Sequence, residues 1–153
     1  QVARTYVALA QAESLTLPAD AAALLAEVQR LHARVLPFAP AFCHHDLMPG
    51  NLLDDGARVW VIDWEYAGIG HPLFDLGGLA SSCDFEPAEE RLLLGAYGAP
   101  ASALPQLRIY RAMAALREAL WAVVQGAASS LDFDYAGYRD DSWRRYRAAL
   151  AQV

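Results

Sequence analysis

"FCHHDLMPGN", residues 42–51, and "VIDWEYAG", residues 61–68, decide how this chain folds. The first stretch sets two histidines, an acid, a proline, a glycine and an asparagine between apolar neighbours. His44, Asp46 and Asn51 fit H-x-D-x-x-x-x-N, and Asp63 stands at the end of the next apolar run. Between them, "NLLDDGARVWVID", residues 51–63, reads as two short strands around an Asp54-Asp55-Gly56 turn, with β-branched and aromatic residues in the second strand. A loop with Asp46 and Asn51 at its ends, returning through a hairpin to an acid at a strand terminus, aims several oxygens into one small volume. Phosphoryl transfer needs that arrangement: one carboxylate takes the proton of the attacking hydroxyl, while an amide and another carboxylate hold Mg²⁺ through hard oxygen donors. Asp and Asn beside Pro49 and Gly50 also suit an ordinary turn, since both favour turns through local side-chain hydrogen bonds. Asp63 at the strand end, with "DWEYAG" following, weighs against that simpler account.

The bulk composition narrows the function classes. The chain has 153 residues, 56% hydrophobic and 20% charged, enough for one domain with a core. Its net charge of −6 argues against nucleic acid as the main partner and favours a small cation. All 12 Lys/Arg positions are arginine. No apolar run approaches the ~20 residues of a membrane span. The start, "QVARTYVALAQAESL", has the period of an amphipathic helix, with Val2, Tyr6 and Leu9 on one stripe, rather than the apolar core of a signal peptide. The expected location is the cytoplasm, with Cys43 and Cys83 as reduced thiols.

Around the polar unit the chain is helical in pattern. Residues 16–36 predict a helix with Thr16 as N-cap and Leu24, Leu25, Val28, Leu31 and Val35 on the buried face, ended by Pro37 and Pro40. His32 shares that spacing and is expected to be partly buried. "EYAGIGHP" is expected to be a loop, "LFDLGGLASS" a short helix, and "EPAEERLLLGAYG" a helix stopping at Gly98. A long helix spans about Pro105 to Gln125, "LDFDYAGY" an aromatic loop, and "DSWRRYRAALA" a terminal helix. The fold class is mainly α with a small β-hairpin (α+β).

"HHDLMPGN", "VIDWEYAG" and "HPLFDL" resemble the motif set of the aminoglycoside phosphotransferase and choline kinase superfamily, which has a protein-kinase-like fold. "ALREALWAVVQ" and "LDFDYAGY" resemble the late helix and loop of choline and ethanolamine kinases, so the likeness runs from about Phe42 to Tyr146. The resemblance implies Asp46 as catalytic base, Asn51 and Asp63 as Mg²⁺ ligands, and Glu65 as a second acid near metal or acceptor. It implies Asp75 as the acid that braces the loop and Trp121 and Tyr138 as aromatic walls for a cationic alcohol. Glu118 stands where the family would place another aromatic residue, so a cation would meet charge there as well as π-faces. His44 is expected to brace the loop through hydrogen bonds rather than to bind metal, and His45 is given no role.

Kinases of this fold take ATP between two lobes, the smaller supplying a glycine-containing strand-loop-strand and a lysine. Before Gly50 this sequence has no glycine, and it has no lysine anywhere. Residues 1–153 are therefore expected to form one domain, the large C-terminal catalytic and acceptor-binding lobe, without the nucleotide lobe and nearly inactive alone. The expected partners are ATP and a small amino alcohol such as choline, ethanolamine or thiamine, and self-association is expected through a surface that the other lobe would cover. Two alternatives are also compatible with the sequence. One is a non-catalytic binding or interaction module; the other is a metal-dependent phosphohydrolase of the HD type.

Overall fold

The computed structural model describes residues 2–153. Its helices are α1 (Val2–Ala12), α2 (Ala21–Ala33), α3 (Pro72–Ser82), α4 (Pro87–Tyr97), α5 (Leu104–Ala128) and α6 (Tyr135–Leu150). Four three-residue strands, β1 (Ala41–Cys43), β2 (Leu52–Asp54), β3 (Val59–Val61) and β4 (Gly68–Gly70), interrupt them between α2 and α3. The fold is mainly α with a small β part, as the patterning indicates.

Helix α5 organises the rest. Leu107, Ile109, Leu116 and Leu120 along it are almost fully buried, and burial of such side chains contributes about 1.5–3 kcal/mol each. On one side Ile109, Leu116 and Leu120 join Val7 of α1, Leu24 and Leu31 of α2, and Tyr146 and Ala149 of α6. On another, Leu107 and Tyr110 join Leu73 and Leu76 of α3 and Leu94 of α4. Between α4 and α5, the fully buried Glu90 carboxylate accepts from Arg108 Nε at 3.0 Å and Arg111 Nη1 at 2.7 Å, so the buried charge is paired twice.

Several local expectations need correction. Helix α1 buries Val7 and Ala10, while Val2 and Leu9 are exposed, so the stripe lies one position away from Val2, Tyr6 and Leu9. Helix α2 begins at Ala21 rather than near Thr16, because Asp20 is the residue whose side chain caps it, accepting from Ala23 N at 2.9 Å. Its His32 is exposed. Helix α6 begins at Tyr135 inside the stretch expected to be a loop, capped by Asp134, which accepts from Gly137 N at 2.9 Å. Helix α4 does stop at Gly98, in the left-handed region at φ 83°, which glycine adopts without a Cβ penalty.

The β2–β3 hairpin pairs Leu52 with Val61 and Asp54 with Val59. Its turn is held by Asp54 Oδ1 accepting from Gly56 N and Asp55 Oδ1 accepting from Ala57 N and Arg58 N, at 2.8–2.9 Å. A second antiparallel pair was not expected: β1 with β4, matching Phe42 with Ile69 and Cys43 with Gly68. Strands of three residues with glycines at 68 and 70 carry no period-2 signal, so "EYAGIGHP" looks like a loop.

One contact sets where α3 lies on α5. A Cβ on Gly77 would fall 2.6 Å from Arg111 N and 2.7 Å from the Tyr110 carbonyl carbon, both backbone atoms that cannot yield. Gly77→Ala should therefore cost about 1–3 kcal/mol by overpacking. Gly95→Ala, whose Cβ meets open space in α4, should instead gain up to about 1 kcal/mol from helix propensity. Urea unfolding of both variants checks this; a Gly77→Ala protein as stable as wild type would contradict the close α3–α5 packing.

Candidate active site

The loop between β1 and the short 3₁₀ turn Pro49–Asn51 is held from below by α3. His71 N-caps that helix through Nδ1, which accepts from Leu73 N at 3.1 Å, and Pro72 follows at the first turn. Asp75, one turn in, accepts from the backbone N–H of His44 through Oδ2 and of His45 through Oδ1, both at 2.7 Å. Two successive amides converging on one carboxylate make an anion-binding nest, here with the anion supplied by the protein. His45 has φ 65°, in the left-handed region, and this bend turns the chain toward Asp46.

The imidazole of His44 is fixed by its two neighbours. Ile62 O can only accept, so Nε2 donates to it at 2.8 Å, and Nδ1 accepts from Asp46 N at 3.2 Å. Both ring nitrogens are thereby used and the ring is neutral. His44 braces the loop onto the hairpin and has no lone pair left for a metal. Among the described residues no cluster of three or more His, Cys, Asp or Glu side chains is placed to hold a metal ion.

Asp46 and Asn51 come together, and Asp63 follows the residue whose backbone pairs with Asn51. Asn51 Nδ2 donates to Asp46 O at 2.9 Å and to Asp46 Oδ2 at 3.2 Å. Its backbone O accepts from Ile62 N at 3.0 Å, so the hairpin register carries Asp63 to the same end of the sheet as Asn51. Asp63 is exposed with φ 63°, a conformation Asp tolerates better than most residues. Asn51 is buried, with Nδ2 committed to Asp46 and Oδ1 as the remaining polar atom of its amide. An amide oxygen and a carboxylate form a hard, oxygen-only donor set of the kind Mg²⁺ accepts from protein when phosphates and water supply the remainder. Those two residues fit the ion that the family implies.

Facing this loop is a cleft of about 910 Å³ whose lining includes Asp46, Glu65, Glu118, Trp121, Phe133 and Tyr138. Trp121 points into it rather than into the core, with Tyr135 and Tyr138 rings each 5.9 Å away. Phe133 lies 4.9 Å from Tyr135 and 5.7 Å from Tyr138. The early start of α6 is what places Tyr138 here. Its hydroxyl donates to Glu118 Oε2 at 2.8 Å, and burial together with Glu118 holds the phenol protonated well above its ordinary range. Glu65 is exposed at the opposite wall beside Tyr66, whose phenol is also shifted upward, first by burial and then by Glu65.

Two residues escaped the sequence-based assignment. His45 donates its backbone N–H to Asp75, its carbonyl accepts from Arg117 Nη1, and its Nδ1 donates to Tyr66 O at 3.1 Å. Its ring lies where a Cβ on Gly70 would sit, 2.3 Å from Nε2, so β4 needs glycine there. Arg117 reaches from α5 to Asp46 Oδ1 through Nη2 and to Glu118 Oε1 through Nη2 at 2.6 Å. Adjacent opposite charges at 117 and 118 were the available signal.

Asp75→Asn keeps the shape of the brace but exchanges one acceptor for a donor facing an N–H. It should destabilise the protein by about 2 kcal/mol, the usual scale for hydrogen bonds to a charged group, and speed amide exchange at His44 and His45 at least roughly tenfold. Unchanged protection of those two amides in hydrogen-exchange NMR would contradict the brace.

The family model of the phosphotransferase enzyme family matches residues 2–116. Ethanolamine kinase 2 of Mus musculus is 32% identical over 145 residues, covering 80% of this chain and 38% of that protein. A choline/ethanolamine kinase family protein of Mesorhizobium loti superposes with a TM-score of 0.83 at 33% identity, over 97% of this chain and 53% of that one. Choline kinase LicA of Streptococcus pneumoniae gives a TM-score of 0.82 at 26% identity, over 99% and 54%. The chain spans about half the length of these structures and less of the mouse protein. The chain thus belongs to the phosphotransferase enzyme family, and the relatives it resembles there are choline and ethanolamine kinases.

Proposed function

We propose that this chain is the catalytic and acceptor-binding part of an ATP- and Mg²⁺-dependent phosphotransferase acting on the hydroxyl of a small cationic amino alcohol. The observation that carries this reading is the junction of two features at Asp46, which also lines the cleft. Asn51 ties Asp46 to the hairpin end that bears Asp63, and an aromatic pocket with an acid at its centre opens beside them. A phosphoryl-transfer loop alone would leave the acceptor undefined, and an aromatic pocket alone would suit many ligands. Together they describe a cation held with its hydroxyl near a carboxylate.

The chemistry follows from those positions. The acceptor oxygen attacks the γ-phosphorus of ATP, the bond to the β-phosphate oxygen breaks, and ADP leaves. Asp46 receives the hydroxyl proton, from the position that Asn51 and Arg117 give its carboxylate. Mg²⁺, when held by Asn51 and Asp63, would neutralise the charge that builds on the phosphate oxygens. Trp121, Phe133, Tyr135 and Tyr138 offer ring faces to the cationic head, and Glu118 and Glu65 add negative charge around it. The expected acceptors are choline, ethanolamine, thiamine or a similar amino alcohol. Kinases of this fold use a lysine for the nucleotide phosphates and residues 1–153 hold none, so transfer by these residues alone is expected to be slow.

ATP-dependent phosphorylation of an amino-alcohol panel by the complete gene product checks this. Asp46→Asn should lower kcat by roughly 10²-fold or more while the acceptor KM changes little, and omission of Mg²⁺ should abolish turnover. No responsive acceptor, or full turnover by Asp46→Asn, would overturn the proposal.

A further inference from the structure

Consecutive residues on a helix do not face one another, yet Arg117 and Glu118 both turn into the cleft. Arg117 donates through Nε to Glu118 Oε1 at 2.8 Å and through Nη2 to the same oxygen at 2.6 Å. Its Nη1 donates to His45 O and its Nη2 to Asp46 Oδ1. The guanidinium carbon lies 5.7 Å from the Phe74 ring centre, and the side chain is only 19% exposed. One planar fork therefore serves the carbonyl before the base, the base itself and the acid of the aromatic pocket. Glu118 passes the connection on through Oε2 to the Tyr138 hydroxyl. Burial acts to lower the arginine's pKa, and Glu118 and Asp46 outweigh it, so the group stays charged.

This arrangement has two opposed effects on a cationic acceptor. Asp46 and Glu118 carry two negative charges, and Arg117 cancels one of them beside the pocket that the cation must enter. For affinity alone, a neutral residue would serve better. For chemistry, two acids brought near each other without a cation would repel, and the Asp46 carboxylate would lose the donor that fixes Oδ1.

We propose that Arg117 is a positioning residue that couples the acceptor pocket to the base, weakening cation binding while holding Asp46 in its productive orientation. It rests on the phosphotransferase reading above. A merely structural arginine would, on removal, lower affinity and turnover together. Arg117 should separate them. Lysine keeps the charge but not the planar fork that meets His45, Asp46 and Glu118 at once.

The test is choline binding to this chain by isothermal titration, for wild type, Arg117→Gln and Arg117→Lys, with kcat measured for the same variants in the complete gene product. Arg117→Gln should bind choline roughly 3- to 10-fold more tightly, the effect of removing one charge several ångströms from a partly screened site. Arg117→Lys should bind within about twofold of wild type, and both variants should lose at least ~10-fold in kcat. Circular dichroism establishes that each variant is folded, and Arg117→Lys carries the test through its kcat loss at unchanged affinity if Arg117→Gln does not fold. Weaker or unchanged choline binding by a folded Arg117→Gln, or full turnover by Arg117→Lys, overturns the inference while leaving the functional reading in place. A wild-type chain that binds none of choline, ethanolamine or thiamine overturns the functional reading and the inference with it.

Discussion

The carboxylate of Asp75 accepting two consecutive backbone amides, those of His44 and His45 at 2.7 Å, is the constraint on which the site depends. Hydrogen bonds to a charged acceptor are stronger than neutral ones, and two on one residue fix the direction of the chain that follows. Once those amides are pinned, the His44 ring meets Ile62 O on one side and Asp46 N on the other. Asp46 is then within reach of Asn51, and the hairpin brings Asp63 to the same edge. The brace works only because α3 is itself placed, by the His71 cap at its start and by the absence of a side chain at Gly77 where it meets α5.

Helix α5 closes the circuit from the other side. Its buried face builds both parts of the core, and the same helix carries Arg117, Glu118 and Trp121 into the cleft. The packing that stabilises the fold is thus also what sets the distance between Asp46 and the aromatic cleft. The polar chain from Asp46 through Arg117 and Glu118 to Tyr138 joins the loop after β1 to α6. In the proposed function the aromatic rings beside it give a cation faces to lie against, while the remaining negative charge draws it in.

The pairing of Asp46 with Asn51 was legible from the spacing of the loop, and the hairpin from its Asp54-Asp55-Gly56 turn, which gives it a definite register. The long helix was legible from its period. The β1–β4 pair was not, since three-residue strands with two glycines carry no alternation, and its glycine at 70 answers to the His45 ring, a partner 25 residues away that local pattern cannot reveal. The starts of α2 and α6 were misplaced because several Asp, Thr and Pro residues near each could cap, and only the folded geometry selects Asp20 and Asp134. His45 and Arg117 were missed for a related reason. Their importance lies in backbone carbonyls and in contacts across 72 residues, which residue type alone does not announce.

In the proposed function a cationic alcohol lies in the α5–α6 pocket with its hydroxyl at Asp46. A crystal structure of this chain with bound choline measures that directly. The quaternary nitrogen should lie against the Trp121 and Tyr138 rings and the hydroxyl within about 2.6–3.2 Å of an Asp46 carboxylate oxygen. Choline bound elsewhere, or in the pocket with its hydroxyl turned away from Asp46, would contradict it.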